Sequence, residues 1–378
     1  KMHLIPSGVL HAGVMAVLGN GMVINPVNLV TEMTRLREQG VEITPKNLVI
    51  SSRAHIITPA HIELDRAKEI ARGEKAIGTT LRGIGPAYLD KTGRKGIRIG
   101  QMLDIEDFAD AMAVSTSATN AILARDGFEE VDFKGHIQQY IDAAHELRPF
   151  IKDTTVYLNQ RLKAGARILC EGAQGTLLDI DHGSYPFVTS SSPTAGGAMI
   201  GLGIGPTHVD RVVGVAKAFS TRVGGGAMPT ELDGEIAKKL RGSGANYWDE
   251  FGTTTGRPRR CGWLDAVMLR YSTIVNGYTE LMLTKMDILS GFDDLKIAVA
   301  YELDGERIEY PPTTIAEIER AKPIYETFRG WQDDIMGART ADDLPQAAVA
   351  YINRIAELCD VPIKIASVGP ERHQIVTL

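Results

Sequence analysis

The residues with most chemistry to offer lie at 252–260, GTTTGRPRR, where Thr253, Thr254, Thr255 and Gly256 run into Arg257, Arg259 and Arg260. A guanidinium fork meets a carboxylate or a phosphate with two charge-assisted hydrogen bonds, and hydroxyls with a glycine N–H complete such an anion cradle. A merely solvated basic loop would carry Lys as readily as Arg, so the all-arginine choice favours anion binding. A second cluster spans 171–197, EGAQGTLLDIDHGSYPFVTSSSPTAGG. The apolar Ile168, Leu169 and Cys170 ahead of it predict a buried strand. Gly172, Gln174 and Gly175 predict that this strand ends in an open loop, where an α/β sheet presents its ligands. Thr189, Ser190, Ser191, Ser192 and Thr194 then crowd hydroxyls against Gly196 and Gly197, whose bare backbone lets an anion approach N–H groups. A Ser/Gly linker has a similar composition, but Leu177, Leu178, Ile180, Phe187 and Val188 flank this one closely.

Three smaller groups follow. GTTLRGIGPAY at 78–88 sets Thr79 and Thr80 beside Gly83 and Gly85, ahead of Lys91, Arg94, Lys95 and Arg98. It suits a phosphate site or a surface loop with a solvated charge run, and both remain open. Leu281, Met282 and Leu283 predict a short strand running into Thr284, Lys285, Met286 and Asp287. That tetrad resembles the guanine reader of GTP-binding folds, whose carboxylate accepts from N1–H and the exocyclic amine while the Lys stem covers the base. Ser367, Val368, Gly369 and Pro370 close another predicted strand at 363–365, where a small polar residue and a glycine suit a base edge. Asp179, Asp181 and His182 have metal-ligand chemistry, but no second His or Cys stands at ligand spacing, so they read as carboxylates paired with nearby donors.

The elements that must position these groups alternate. Residues 25–40 predict a helix capped by Asn25 with Pro26 in its first turn; 48–50 predict a strand, and 58–73 a second helix starting at Thr58 and Pro59. Residues 104–162 turn helical, and the stretch 104–165 is expected to be a helical insertion; His136 and His145 in it read as ordinary helix residues. Val212, Val213, Val215, Ala216 and Ala218 predict a buried strand that ends at Thr221, Arg222, Val223 and three glycines. Residues 295–310 predict a hairpin around Asp304-Gly305, and 342–358 an amphipathic helix. The pattern is that of an α/β chain with one large, mostly parallel central sheet, helices on both faces and a small hairpin, built as a single domain over 1–378.

Composition narrows the class. The 378 residues carry 41 basic and 47 acidic side chains, a net charge of −6, so no bulk basic field favours nucleic acid or an anionic membrane surface. Cys170, Cys261 and Cys359 are widely spaced, which suits a reducing compartment and argues against a structural zinc. No apolar run is long enough to span a membrane, and a cytoplasmic location is expected.

HLIPSG at 3–8, TTLRGIGPAY, EGAQGTLLDIDHG, VTSSSPTAGG, TRVGGGAMPTEL, GTTTGRPRR, TKMD and SVGPER occur in the order found in adenylosuccinate synthetases, and the chain resembles that family over almost its whole length. The resemblance implies a ligase that couples IMP and L-aspartate, with GTP as co-substrate and Mg2+, to give adenylosuccinate, GDP and phosphate in purine synthesis. It implies that Thr80, Gln174 and Thr189 contact IMP, with Val223 near the ribose and Gln174 supporting catalysis. Arg94 is implied to reach the IMP phosphate of the other subunit of a homodimer. Thr253, Thr254, Thr255, Gly256 and Arg257 form the implied aspartate loop, with Arg257 also facing IMP. Arg259 is implied to reach GTP, and Lys285, Met286, Asp287, Ser367, Val368 and Gly369 to hold guanine.

Leu81 and Ser192 depart from the family's usual Gly or basic residue and Asn. The family's opening GDEGKGK and NAGH motifs, which supply the base aspartate, the Mg2+ ligand, the phosphate cradle and the catalytic histidine, do not occur in these residues. No metal ligand is therefore assigned within them, the chain is expected to continue a longer N-terminal segment, and these residues alone are expected not to turn over. A non-catalytic purine-nucleotide-binding relative, or a synthetase acting on another purine monophosphate such as dGMP, remains an alternative.

Overall fold

The computed structural model describes residues 2–73, 76–253 and 255–378. The chain divides into two compact units, Lys1–Gln174 with Thr189–His208 and Gly175–Val188 with Val209–Leu378.

In the first unit, β1 (Ala16–Leu18) and β2 (Val23–Ile24) precede α1 (Pro26–Glu38). That helix starts where predicted because the Asn25 side chain accepts the N–H of Asn28 at 3.1 Å and Pro26 takes a first-turn position that has no intrahelical acceptor to offer it. β3 (Leu48–Ser51) and β4 (His55–Ile56) lead to α2 (Pro59–Arg72). Thr58 caps α2, and His61 reciprocates: its Nδ1 accepts the N–H of Thr58 at 3.0 Å. The ring proton therefore sits on Nε2, which faces Asp90 at 3.0 Å. The unit continues through α3 (Ile84–Thr92), α4 (Ile105–Arg125), α5 (Phe133–Leu147), β5 (Ile151–Lys152), α6 (Thr154–Lys163) and α7 (Ala195–Leu202). Strands β1, β3 and β5 pair in parallel in that order, as do β2 and β4. Leu18, Ile24, Leu29, Met33, Leu48, Ile50 and Phe108 form the core around them. Within 104–165, three helices surround β5, which joins the sheet through β3.

Residues 166–170 form no strand, and Leu169 is 93% exposed, contrary to the buried strand their composition predicts. Apolar side chains express a tendency to burial, whereas a strand also needs a hydrogen-bonding neighbour. Among the described strands none pairs with this run.

The second unit runs through β6 (Val213–Lys217), β7 (Ser220–Arg222), α8 (Gly234–Arg241), β8 (Arg260–Gly262), β9 (Leu264–Asp265), α9 (Ala266–Asn276) and β10 (Glu280–Thr284). It continues with β11 (Asp294–Leu303), β12 (Glu306–Ile308), α10 (Ile315–Arg320), β13 (Lys322–Arg329), α11 (Gln346–Cys359), β14 (Ile363–Ser367) and β15 (Ile375–Thr377). One sheet has the order β15-β14-β10-β6, its last three strands parallel. Lys217 lies opposite Thr284, and Leu283 opposite Ala366, so the three C-terminal ends leave the sheet side by side. β6 is an edge strand, and Val213 and Val215 are exposed rather than buried as their apolarity predicts. The hairpin forms as expected, turning at Asp304 and Gly305 with φ of 53° and 91°. Its sheet extends to β13, which lies antiparallel to β11 and carries no turn signal in sequence. α11 begins at Gln346 rather than 342, because residues 341–343 form a separate turn held by Thr340 and Asp343, with Pro345 between. The α/β class and the parallel pairing stand as predicted.

Candidate functional site

In the first unit, the threonine loop is shaped by carboxylates that collect backbone N–H groups. Glu69, reaching back from α2, accepts from Ile77 at 3.2 Å, Gly78 at 2.8 Å and Thr79 at 3.2 Å, and pairs with Arg72 at 2.9 Å. Burial raises the Glu69 carboxyl, but these donors outweigh it and hold the group below its ordinary value. One turn earlier, Asp65 accepts the N–H of Gly83 at 3.0 Å. Gly83 has φ of 74°, and a Cβ there would come within 2.8 Å of the Ile62 nitrogen, so both conformation and space demand glycine. Leu81, at φ 55°, takes the same left-handed region without that excuse. Thr80 is left exposed at the loop's apex. Arg94 is exposed too, at φ 61° beyond α3.

Gln174 is exposed, with φ of 66°. Thr189 Oγ1 lies 3.3 Å from Ser191 Oγ, and Tyr88, which also bonds Ser191, donates to the Gly21 carbonyl at 2.8 Å. The hydroxyl cluster is thus folded onto the unit that carries the threonine loop, which disposes of a free linker. Asp179, in the second unit, spends one carboxylate oxygen on the N–H groups of Asp181 at 2.9 Å and His182 at 3.1 Å, a turn-forming role.

In the second unit, Arg222 holds the glycine loop after β7. Its guanidinium donates to the Gly225 carbonyl at 2.7 Å, Ser184 Oγ at 3.0 Å and the Phe187 carbonyl at 3.0 Å. Burial, then the neighbouring Arg260, pushes it down to about 10. Val223, next along, is half-buried. Arg260 turns to the Gly226 carbonyl at 2.7 Å and to Glu231 at 2.7 Å, away from any ligand role.

The stretch 250–259 is a small hairpin. Arg259 donates its N–H to the Glu250 carbonyl at 2.9 Å, and Gly252 and Arg257 close the tip at 2.8 Å. Thr253, Thr255 and Gly256 are exposed there, and Thr255 Oγ1 accepts from Arg257 Nε at 3.3 Å. Thr254 lies outside the described residues. Beneath the tip sits Glu250, 2% exposed. Its carboxylate meets Lys217 at 2.6 Å, Arg259 at 2.7 Å and Lys285 at 3.3 Å. Burial raises this carboxyl, but the three cations outweigh it and hold it ionised. Lys217 ends β6 and Lys285 follows β10, so the hairpin is tied to two adjacent strand ends.

Lys285, at φ 69°, also donates to the Trp248 carbonyl. Met286 is fully buried and serves as an anchor. Burial raises the Asp287 carboxyl. At the neighbouring strand end Ser367 Oγ donates to the Gly369 carbonyl at 2.9 Å, while Val368 is buried and donates its N–H to the Gln374 carbonyl at 3.0 Å. The parallel register thus gathers the TKMD and SVGP stretches, which sequence alone leaves 80 residues apart in outline. Glu69, Asp65 and Glu250 escaped sequence reasoning, and Arg222 figures there only as part of a strand end. For Glu250 one signal exists, an acid two residues ahead of the anion-binding loop.

The family model for adenylosuccinate synthetase matches residues 1–376. Among solved structures, the fully ligated adenylosuccinate synthetase of Plasmodium falciparum is 37% identical with a TM-score of 0.93, the match spanning 100% of this chain and 88% of that one. Succinoaminodeoxyadenylate synthetase of cyanophage S-2L, bound to dGMP and dATP as an energy donor, matches at 17% identity and a TM-score of 0.58, over 100% of this chain and 81% of that one. At that identity the likeness is one of fold alone. With the loops in family order, the strand ends aligned and the match spanning nearly every residue, the chain belongs to the adenylosuccinate synthetase family.

Proposed function

We propose that this chain serves the GTP-dependent joining of IMP to L-aspartate, with residues in the roles their motifs suggest. The observation that carries the nucleotide assignment is the alignment of parallel strand ends: β10 and β14 deliver Lys285, Asp287, Ser367 and Gly369 to one edge, beside a cluster of cations around Glu250. The Asp287 carboxylate accepts from guanine, Lys285 covers the base, and Arg259 turns toward the phosphates. The purine 6-oxygen is a poor leaving group, so GTP phosphorylates it before the aspartate amine displaces phosphate. Such chemistry asks the protein mainly for positioning and charge stabilisation. Arg257, braced by Thr255, holds the aspartate carboxylate. Thr80, Gln174 and Thr189 present hydroxyl and amide groups to IMP, and Val223 lies against its ribose.

Mg2+ belongs to this chemistry through the family. Among the described residues no group of three or more His, Cys, Asp or Glu side chains is placed to hold a metal, and no step above passes through one. Arg94, exposed beyond α3, is proposed to reach the IMP phosphate across a homodimer. Among the described residues no helix is long and apolar enough to cross a membrane.

The test is synthesis by the full-length protein. Adenylosuccinate formed from IMP, aspartate and GTP sustains the proposal; product only from dGMP would move the substrate, and nucleotide binding without turnover would make the chain a non-catalytic relative. For the dimer, mixing Arg94→Leu with Gln174→Ala protein should recover activity through hybrid sites; exchange of subunits without recovery would remove Arg94 from that role.

A further inference from the structure

Glu250 ties together three segments that carry candidate substrate groups, yet it is itself 2% exposed. Both of its oxygens are occupied, one by Lys217 and Arg259 and the other by Lys285. No room remains for a substrate contact. A cluster built only for stability would balance its charges, since buried ion pairs contribute little over well-packed apolar side chains. Here one carboxylate faces three cations. Arg259 is also unsaturated, its Nε buried without a partner among the described residues. We propose that Glu250 is a positioning residue: it sets Arg259 and Lys285 in fixed relation and clamps the stem of the 252–257 tip, leaving an excess of positive charge directed at an incoming polyphosphate.

The proposal rests on the assignment of Arg259 and Lys285 to GTP. Without the carboxylate, three cations within a few ångströms repel one another, and two of them hang on flexible stems. The backbone pairing of Glu250 with Arg259 survives such a change, because it uses the main chain. The hairpin should therefore persist while its cations lose their places. That separates a positioning role from a merely structural one.

The experiment is calorimetric titration of the full-length protein with GTP, alongside steady-state kinetics. Glu250→Gln keeps the volume and removes the charge. It should weaken GTP about tenfold while the KM for IMP changes less than about twofold, and its effect should shrink in a Lys285→Met background because the two groups act through one contact. Glu250→Asp keeps the charge one methylene short and should fall between wild type and Glu250→Gln; it also serves if the glutamine variant does not fold. Equal GTP affinity in either variant, additive losses with Lys285→Met, or a loss that follows the folded fraction for all substrates alike would overturn the inference. If the wild-type protein binds no GTP, the nucleotide assignment itself falls and takes this inference with it.

Discussion

The threonine loop of the first unit and the arginine hairpin of the second both suit an anion, and they are built on opposite principles. Around 77–83, carboxylates from α2 consume backbone N–H groups, and what faces outward is Thr80, Leu81 and Arg82. Around 250–259, cations converge on a single buried carboxylate, and the exposed tip beyond them carries Thr253, Thr255 and Gly256. The first arrangement depends on backbone conformation and is short-ranged. The second depends on formal charge placed in a low-dielectric setting, where removing one member leaves another unpaired. A non-glycine residue in the left-handed region belongs to each arrangement, Leu81 within the threonine loop and Lys285 after β10, among the cations on Glu250. Only in the second does that residue's side chain take part.

The largest effect is expected on the charged side. Arg257→Leu should cost about 2–5 kcal/mol in kcat/KM for aspartate, since it leaves a desolvated carboxylate without its partner. Loss confined to GTP, with aspartate kinetics intact, would detach Arg257 from that role. Glu69→Ala comes next. Three backbone donors lose their acceptor, each unsatisfied group costing about 1–3 kcal/mol before solvent replaces it, so kcat/KM for IMP should fall by about a hundredfold while GTP affinity holds. Equal damage to GTP would show that the two loops do not act independently. The same carboxylate carries a pH signature. Its folded value lies below the ordinary 4.5, so its contribution is complete above that value and is lost as pH falls through the depressed one. Acid unfolding of Glu69→Gln should therefore be less steep below about pH 4.5 than that of wild type.

Much of this organisation was legible in residues. Caps such as Asn25 and Thr58 marked helix starts because a capping side chain and the N–H it satisfies are close in sequence. The Asp304-Gly305 turn was legible for the same local reason. What failed was the environment of apolar runs: Leu169, Val213 and Val215 have core composition and exposed positions, since an edge or an unpaired segment is a property of neighbours. The site divides likewise. Groups proposed to face a ligand sit in recognisable motifs, whereas Glu69 acts on N–H groups eight to ten residues away and Glu250 on cations nine, 33 and 35 residues away, which no short motif records.

Asp287→Asn gives a smaller and more selective change on the charged side. The variant keeps the size but turns one acceptor into a donor, forfeiting a charge-assisted bond worth about 1.5–3 kcal/mol. Preference should move from GTP toward XTP, whose 2-oxygen accepts from the new amide, with the KM for IMP nearly unchanged. An unaltered GTP preference would mean that Asp287 does not read the base.

The smallest effect divides the two arrangements most sharply. Leu81 sits at φ 55° and is 46% exposed, so it bears the left-handed penalty of roughly 1–2 kcal/mol and recovers little through burial. Glycine relieves that penalty and adds about 0.5–1 kcal/mol of unfolded-state entropy. Leu81→Gly should therefore raise stability by about 0.5 kcal/mol, with IMP kinetics unchanged because the carboxylate contacts of Glu69 and Asp65 use other residues. Lys285→Gly relieves similar strain at φ 69°, but it deletes the ammonium that meets Glu250 and the Trp248 carbonyl. It should lower both stability and GTP affinity. Chemical denaturation of the pair measures the divergence directly. If both substitutions stabilise, the Lys285 contacts are incidental and the cation cluster is no more than a surface arrangement; if both destabilise, the Leu81 side chain has a packing role that its exposure does not reveal.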